Sequence, residues 1–289
     1  MNILIIQNIK SGLKPNKHLI QEFKTELDQF GKTIYVEVSD RESMSRVKPF
    51  IAENDLTIIA GGDGTVSFFV NTLVESGKPL LVIPTGSGND FSNSLGYKFH
   101  PEKITQALRN FDLSKVSTVL INDKKRILTI ACFGFEARVN RLANKMPRFF
   151  GGFKYTFATL IAIFGKHYES LKIESDVLNE TGDYSLAIIA NSPSFGGGLM
   201  ISNKASVLDE KMYLILVNRV SKIKLIFLFL LLVFRKHYSR PEFREFEVTR
   251  LRVDKTNGIL KSQADGESLP EGPVMVKIEP NNLKVLRIE

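Results

Sequence analysis

The 289-residue chain has no tryptophan, one cysteine and four histidines. A single thiol, Cys132, rules out an intrachain disulfide, so the fold must rest on its core, and a cytosolic setting is expected. Cys132 lies in the apolar run ILTIACF and reads as a small core residue. His18, His100, His167 and His237 lie far apart, and none has zinc-ligand spacing. There is no G-x-x-x-x-G-K-[ST], which excludes a P-loop. GSGNDF lacks the third glycine of a dinucleotide fingerprint, and Gly86-Ser87-Gly88 lacks the outer glycines of a nucleophile elbow. MNILIIQN has neither the basic start nor the cleavage site of a signal peptide, and reads as a first strand. Leu225 to Phe234 (LIFLFLLLVF) is apolar throughout but falls short of the ~20 residues of a spanning helix. Two readings of it stay open: a buried helix, or one near a lipid entrance or pressed on a bilayer, its basic ends touching headgroups.

The formal charge is +8. That surplus suits a membrane surface, a polyphosphate or a nucleic acid. No nucleic-acid module is recognisable, so a nucleic-acid partner is not expected. Apolar and charged fractions are those of a folded protein, and neither a repeat nor a low-complexity linker interrupts them.

The first 120 residues alternate as strand and helix. ILIIQ, TIYVEV, LTIIA and PLLVIP read as strands. Lys17 to Gly31, a stretch through Val47 and Ile51, and a segment from Thr65 to Ser76-Gly77 have helical spacing. This order predicts a three-layer α/β domain around a parallel sheet. Beyond about Leu120, KKRILTIACF, SLKIESDVLN, YSLAIIANS, MYLILVNR, REFEVTRLRV and VMVKIEP are strand-like, with helical stretches near 138–165 and 221–236. They predict a second, largely antiparallel β domain. We divide the chain into 1–121 and 122–282; the last strand, LKVLRI, is open to either half, with 283–289 a candidate return to the first.

Three loops of small residues follow strands of the parallel sheet: Asn8 to Gly12, Gly61-Gly62-Asp63-Gly64-Thr65, and Pro84-Thr85-Gly86-Ser87-Gly88-Asn89-Asp90. Ligands of open parallel sheets gather at such ends. Glycines bring backbone N–H groups close to phosphate oxygens, and Thr65 and Ser87 can cap a helix or donate to a phosphate. Asp63 repels a phosphate, so its uses are to hold Mg²⁺ or waters around it, or to cap a turn. Gly196-Gly197-Gly198 is open as a phosphate nest or a flexible turn. The basic stretch Arg138 to Arg148, followed by Phe149 to Phe153, is open as a solvated helix face or an anionic-lipid contact. SQADGESL carries two carboxylates in a polar insert whose Asp-Gly also suits a hairpin turn.

GGDGT followed by PTGSGND resembles the catalytic domain of the bacterial diacylglycerol kinase family, which is similar to sphingosine kinases and more distantly to NAD kinases. Asn8 to Gly12, Gly134 to Ala137, Asn191 to Gly198, Asp209 and Gln263 to Glu267 extend the resemblance over nearly the whole chain. It implies an ATP-dependent lipid kinase, acting with Mg²⁺ on diacylglycerol or a related membrane alcohol. Asn8, Ser11, Gly12, Gly62, Asp63, Gly64, Thr65 and Ser87 would touch the nucleotide, Asn89 and Asp90 would complete its third loop, and Ser39 is a further candidate. Asp265 resembles the general base, with Asp63 a rival for that part. Glu267 would join the acidic network around Asp63 and Mg²⁺. Asp209, with the carbonyls of Ser206 and Lys211, corresponds to a structural Mg²⁺ site. The family's Asn-Glu after GGDGT and one apolar residue is here Ser67-Phe68. A common acidic residue is Ser117, the usual Asp-Gly is Asp209-Glu210, and the first-loop proline is Ile9. The shared GGDGT leaves an NAD kinase-like enzyme of a soluble substrate as one alternative, and the missing carboxylates motivate another, a weakened nucleotide- or lipid-binding regulator. The single cysteine and the positive surplus, with the apolar and basic stretches, predict a cytoplasmic protein in peripheral contact with an anionic membrane; a homodimer stays open.

Overall fold

Strands covered on both faces need continuous apolar sequence, and the first half supplies it. β1 (Asn2–Asn8), β2 (Lys32–Val38), β3 (Leu56–Gly61) and β4 (Leu80–Pro84) pair in parallel in the order β2-β1-β3-β4, with Ile5 opposite both Tyr35 and Ile58. Ile3 to Ile6, Ile58, Ile59 and Leu80 to Ile83 are buried, while edge strand β2 is largely solvated. This computed structural model describes residues 1–12, 24, 26–97, 100–134, 139, 142, 158, 161–162, 165 and 167–288. The helix expected over 17–31 lies outside them, apart from Lys24 and Glu26 to Gly31. The helical stretch near 138–165, the loop Phe135 to Ala137 and the basic and aromatic stretch 138–153 are likewise outside, apart from a few single residues.

α1 (Arg41–Glu53) joins β2 to β3. Its capping box is complete: the Ser43 N–H donates to the Asp40 carboxylate at 2.8 Å, and the Asp40 N–H donates to Ser43 Oγ at 3.1 Å. α2 (Asp63–Ser76) joins β3 to β4 and ends at Gly77 with φ 64, the left-handed stop that Ser76-Gly77 predicts. α1 and α2 pack on each other, as two crossovers moving the same way along a sheet require. Two further helices follow, α3 (Asp90–Ser94) and α4 (Pro101–Asn110). α4 was not anticipated, although Pro101 at its first turn and Ile104, Ala107 and Leu108 on its buried side carry a helical signature.

The chain divides into two compact units, residues 1–118 with 280–289 and residues 119–279. β5 (Leu113–Ile121) and the last strand, Val274–Leu286, each run across a division point. Within the first unit, the end of that last strand lies parallel to β4, with Val285 opposite Leu80. VMVKIEP and LKVLRI therefore form one strand rather than two, passing a left-handed residue at Asn281, whose N–H donates to Ser117 Oγ at 3.1 Å.

The second unit is antiparallel, as expected. β6 (Lys125–Ile127), β7 (Ile130–Phe133), β8 (Glu169–Ser175) and β9 (Asn179–Ala190) come first. The short pair β10 (Ser194–Phe195) and β11 (Leu199–Met200) precedes β12 (Met212–Asn218), and α5 (Lys222–Val233) follows it. β13 (Phe243–Val248), β14 (Arg250–Lys255), β15 (Ser262–Ala264) and β16 (Glu267–Ser268) lead to the final strand, β17. β9 pairs with β7, β8 and β12, and its Ala187 and Ile189 join Leu214, Leu216, Val253 and Val276 in one buried core.

Two runs that read as single strands are broken, for the same physical reason. KKRILTIACF splits into β6 and β7 because the Leu128 and Thr129 N–H groups donate to the Asp265 carboxylate. REFEVTRLRV splits into β13 and β14 at Thr249, whose N–H and hydroxyl both donate to Asp176, at 2.9 and 2.5 Å. In each case a carboxylate far off in sequence takes the N–H that a strand partner would have used.

Candidate active site

β1 lies between β2 and β3, so the connections from β1 and β3 leave in opposite directions. Open parallel sheets bind ligands at such a switch point, beyond the carboxyl ends. Here those ends carry the Asn8 and Gly61 loops. Asn8 bridges them: its Nδ2 donates to Thr65 Oγ1 at 2.8 Å, and its Oδ1 accepts the Lys10 N–H at 3.0 Å. The Ser11 N–H closes the loop on the Asn8 carbonyl.

The glycines explain how three loops fit together. A Cβ on Gly12, where φ is +81, would lie 2.2 Å from the Thr85 carbonyl oxygen. One on Gly62 would lie 2.9 Å from Gly86 Cα, and one on Gly86 2.5 Å from Gly62 Cα. Ser11 Oγ is beside that same spot, 3.5 Å from a Cβ on Gly62. The loops after β1, β3 and β4 are thus in backbone contact, which only glycine permits. Gly64 differs, since a Cβ there meets none of the described residues within 4 Å. α2 begins beside it on a glycine cap, with no side chain among the described residues capping its N-terminus, an arrangement suited to an anion.

Asp63 caps another helix rather than its own. Its Oδ2 accepts the Asp90 N–H and its Oδ1 the Phe91 N–H, both at 3.1 Å, at the head of α3. The carboxylate therefore joins the second loop to the third and sits at the positive end of a helix. Asn89 holds the third loop from inside. It is left-handed at φ 57, its Oδ1 accepts the Gly86 N–H at 2.9 Å, and its Nδ2 donates to the Gly86 carbonyl at 2.8 Å. Asp90 is buried, whereas Ser87 is exposed at the loop tip. Ser39 follows β2, next to the first loop through the Ile9 N–H to Val38 carbonyl bond, and its hydroxyl donates to Asp40 at 3.0 Å. Ser67 is buried, and the Phe68 ring carries the Lys48 ammonium 4.4 Å from its centre. A cation thus faces an aromatic ring where the family pattern has a carboxylate.

In the second unit, Asp265-Gly266 forms the two-residue turn between β15 and β16, with φ of 46 and 79. Two positive φ values make the tight hairpin that Asp-Gly favours. The turn reading was correct, and it leaves the carboxylate employed. Asp265 Oδ2 accepts the Leu128 N–H at 2.9 Å, while Oδ1 accepts the Thr129 N–H at 3.0 Å and the Thr129 hydroxyl at 2.6 Å. Glu267 accepts from Lys125 Nζ at 2.8 Å. In the Ser206 to Lys211 turn, the Asp209 N–H donates to the Ser206 carbonyl at 3.0 Å, and the Lys211 ammonium pairs with Glu247. The structure missed by sequence reasoning is Leu128-Thr129, two residues inside an apolar run that gave no polar signal beyond the threonine.

Residues 2–121 match the diacylglycerol kinase catalytic domain, and residues 129–287 match the YegS C-terminal NAD kinase beta sandwich-like domain. The chain belongs to the diacylglycerol kinase family. A diacylglycerol kinase of Mycobacterium tuberculosis (strain CDC 1551 / Oshkosh) is 27% identical over 239 residues, 81% of this chain and 77% of that protein. A solved diacylglycerol kinase from Bacillus anthracis str. Sterne superposes with a TM-score of 0.75 at 16% identity, covering 99% of this chain and 96% of its own. A second structure from that strain reaches 0.81 at 18% identity, covering 99% and 97%. Likenesses at that identity establish the fold, an α/β domain followed by a β domain. The family assigns the activity: this is a lipid kinase that uses ATP. Among the described residues no helix is long and apolar enough to cross a membrane.

Proposed function

We propose that the protein transfers the γ-phosphoryl group of ATP to the primary hydroxyl of a diacylglycerol or a closely related membrane alcohol. The observation that carries this reading is the three-loop cradle, with Gly12 against Thr85 and Gly62 against Gly86. Asn8, Ser11, Gly12, Gly62, Gly64, Thr65 and Ser87 line or frame it, and the uncapped start of α2 suits phosphate oxygens. Asn89 and Asp63 hold the third loop in shape through Gly86, Asp90 and Phe91.

Asp265 is the proton acceptor in this scheme. As the acceptor oxygen bonds to the γ-phosphorus and the bond from that phosphorus to the β-bridging oxygen breaks, ADP departs and the hydroxyl proton passes to the carboxylate. Oδ1 already holds two donors and Oδ2 one, among the described residues, so Oδ2 retains an acceptor position. The carboxylate cannot turn away, because successive backbone N–H groups grip both oxygens. Glu267, tied to Lys125, stands two residues on and adds negative charge to the same hairpin.

Among the described residues no group of three acidic, histidine or cysteine side chains forms a metal cage. Mg²⁺ in kinases is held by one or two carboxylates and by substrate phosphates, so Asp63 at the cradle is a fitting donor. Bound there, Mg²⁺ would neutralise charge on the phosphates. A second ion would fall to Asp209 with the Ser206 and Lys211 carbonyls; the Ser206 carbonyl already accepts one N–H.

The test is transfer of labelled γ-phosphate from ATP into a total bacterial lipid extract, with NAD run alongside and products identified by mass. A labelled monophosphorylated diacylglycerol is expected. Label on NAD alone, or on nothing, would refute the assignment.

A further inference from the structure

α5 is apolar on nearly every side, and only part of it is covered. Leu225, Leu228, Phe229 and Leu232 are buried. Phe229 and Leu232 join Ile188, Ile215 and Cys132 in a core cluster, and Leu225 meets Val139, Ala158 and Ala162. Ile223, Phe227, Leu230 and Phe234 face away, exposed by 82, 47, 45 and 69%. Spacings of four, three and four residues place them in one line along the helix. With Val233 they make five of the fourteen large exposed apolar side chains among the described residues, within a span of 12 positions. Single exposed apolar residues are ordinary; a line of them marks a binding surface.

Cations frame this line at both ends. Lys222 and Lys224 occupy the first turn, where the helix dipole disfavours positive charge, so local helix electrostatics do not account for them. At the other end Arg235 is left-handed at φ 58, a position glycine normally fills. The Lys236 N–H then donates to the Leu231 carbonyl at 2.7 Å, folding both cations back over the helix end. A surface groove of about 480 Å³ lies there, with Phe227 and Leu231 as its apolar part and Arg235, Lys236 and Arg240 as its charged part, beside Tyr238. Among the described residues no carboxylate is paired with Arg235 or Lys236, while Glu242 is shared by Lys224 at 2.6 Å and Arg240 at 3.5 Å.

We infer that this face of α5 docks the protein on a bilayer rich in anionic phospholipid. Ile223, Phe227, Leu230 and Phe234 would enter the acyl boundary, and the groove at Arg235, Lys236 and Arg240 would take a headgroup phosphate. An apolar stripe with cationic margins, on a helix too short to span, is the pattern of a helix lying in the interface plane. The inference rests on the lipid-kinase reading for its choice of occupant.

Co-sedimentation of the whole protein tests it, with vesicles of phosphatidylcholine alone and of phosphatidylcholine containing about one third phosphatidylglycerol. Wild type is expected on the anionic vesicles only, with binding weakened by salt. Arg235→Glu with Lys236→Glu should lower partitioning at least ~10-fold, since each reversal costs more than the loss of one attractive charge. Phe227→Ser with Leu230→Ser should lower it on both low and high salt. Both variants should retain wild-type transfer to a dispersed short-chain diacylglycerol. Equal vesicle binding by wild type and both variants, or none by wild type, would overturn the inference. So would a wild-type dimer that either variant dissociates without loss of vesicle binding. Turnover of the dispersed substrate without vesicle binding would sink the docking face alone; vesicle binding without turnover would sink the kinase reading alone.

Discussion

Asp63 in the first unit and Asp265 in the second solve one structural problem in two settings. Each spreads its two oxygens over the N–H groups of successive residues, Asp90 and Phe91 in one case, Leu128 and Thr129 in the other. Asp63 thereby caps a helix start and ties two loops together. Asp265 fills a gap between two strands and gains a third donor, the Thr129 hydroxyl at 2.6 Å. The comparison teaches that both carboxylates are held by backbone before any substrate arrives. Their chemistry differs because one frames a cradle of N–H groups while the other crowns a hairpin.

The largest effect should come from removing one side of this pair. Asp265→Asn is expected to lower kcat by ~10²–10⁴-fold, the usual share of a general base, with nucleotide affinity close to wild type. Stopped transfer and ATP titration on the same preparation check both halves. Asp63→Asn should act first on the loops and on nucleotide binding. An amide nitrogen there confronts a backbone N–H, so two charge-assisted bonds are compromised, at a cost of about 2 kcal/mol in stability, and ATP affinity should fall. Thermal unfolding with and without nucleotide would show it. If the two variants instead lost the same property, the division of labour between the units would be wrong.

Much of this was readable from residue order. Near-continuous apolar runs and helical spacing sufficed for the parallel sheet, because strands buried on both faces leave little choice of composition. GGDGT and PTGSGND marked loops that the structure brings together for a related reason: glycines let their backbones touch. What could not be read were partners distant in sequence. Nothing around Leu128 shows that Asp265, 137 positions away, will take its N–H and end a strand. Nor does Asp63 reveal that it caps α3 rather than α2. Of Leu225 to Phe234, one stripe of the helix is buried and another is exposed, which the uniform apolar run did not reveal.

Thr129→Val sharpens the contrast by making Asp265 resemble Asp63. It removes the third donor while keeping shape, and should cost about 1 kcal/mol with a smaller fall in kcat than Asp265→Asn. The smallest effect, and a control for general loosening of the second unit, concerns His237. Burial pushes its imidazole below the ordinary 6.5, against the opposing pull of its contact with the Ile201 carbonyl and of Glu245. The unfolded chain takes up a proton near 6.5 while the folded chain resists, so the stabilisation is complete above 6.5. It is lost as pH falls from there through the lower folded value. Thermal unfolding between neutral and mildly acidic pH should show this slope, and His237→Gln should flatten it without altering kcat at neutral pH.

The claim beneath the whole account is that the contact between Gly62 and Gly86 shapes a triphosphate site. Calorimetric titration with ATP and Mg²⁺ of wild type, Gly62→Ala and Gly64→Ala addresses it directly. A methyl group on Gly62 would press to 2.9 Å on the neighbouring loop, whereas one on Gly64 meets none of the described residues within 4 Å. Wild type should bind, and Gly62→Ala should bind at least ~10-fold more weakly, a difference of about 1.4 kcal/mol. Any loss in Gly64→Ala, whose unliganded fold should be undisturbed, would then report the nucleotide itself. Absence of heat with wild type, or equal affinity for wild type and Gly62→Ala, would contradict the account.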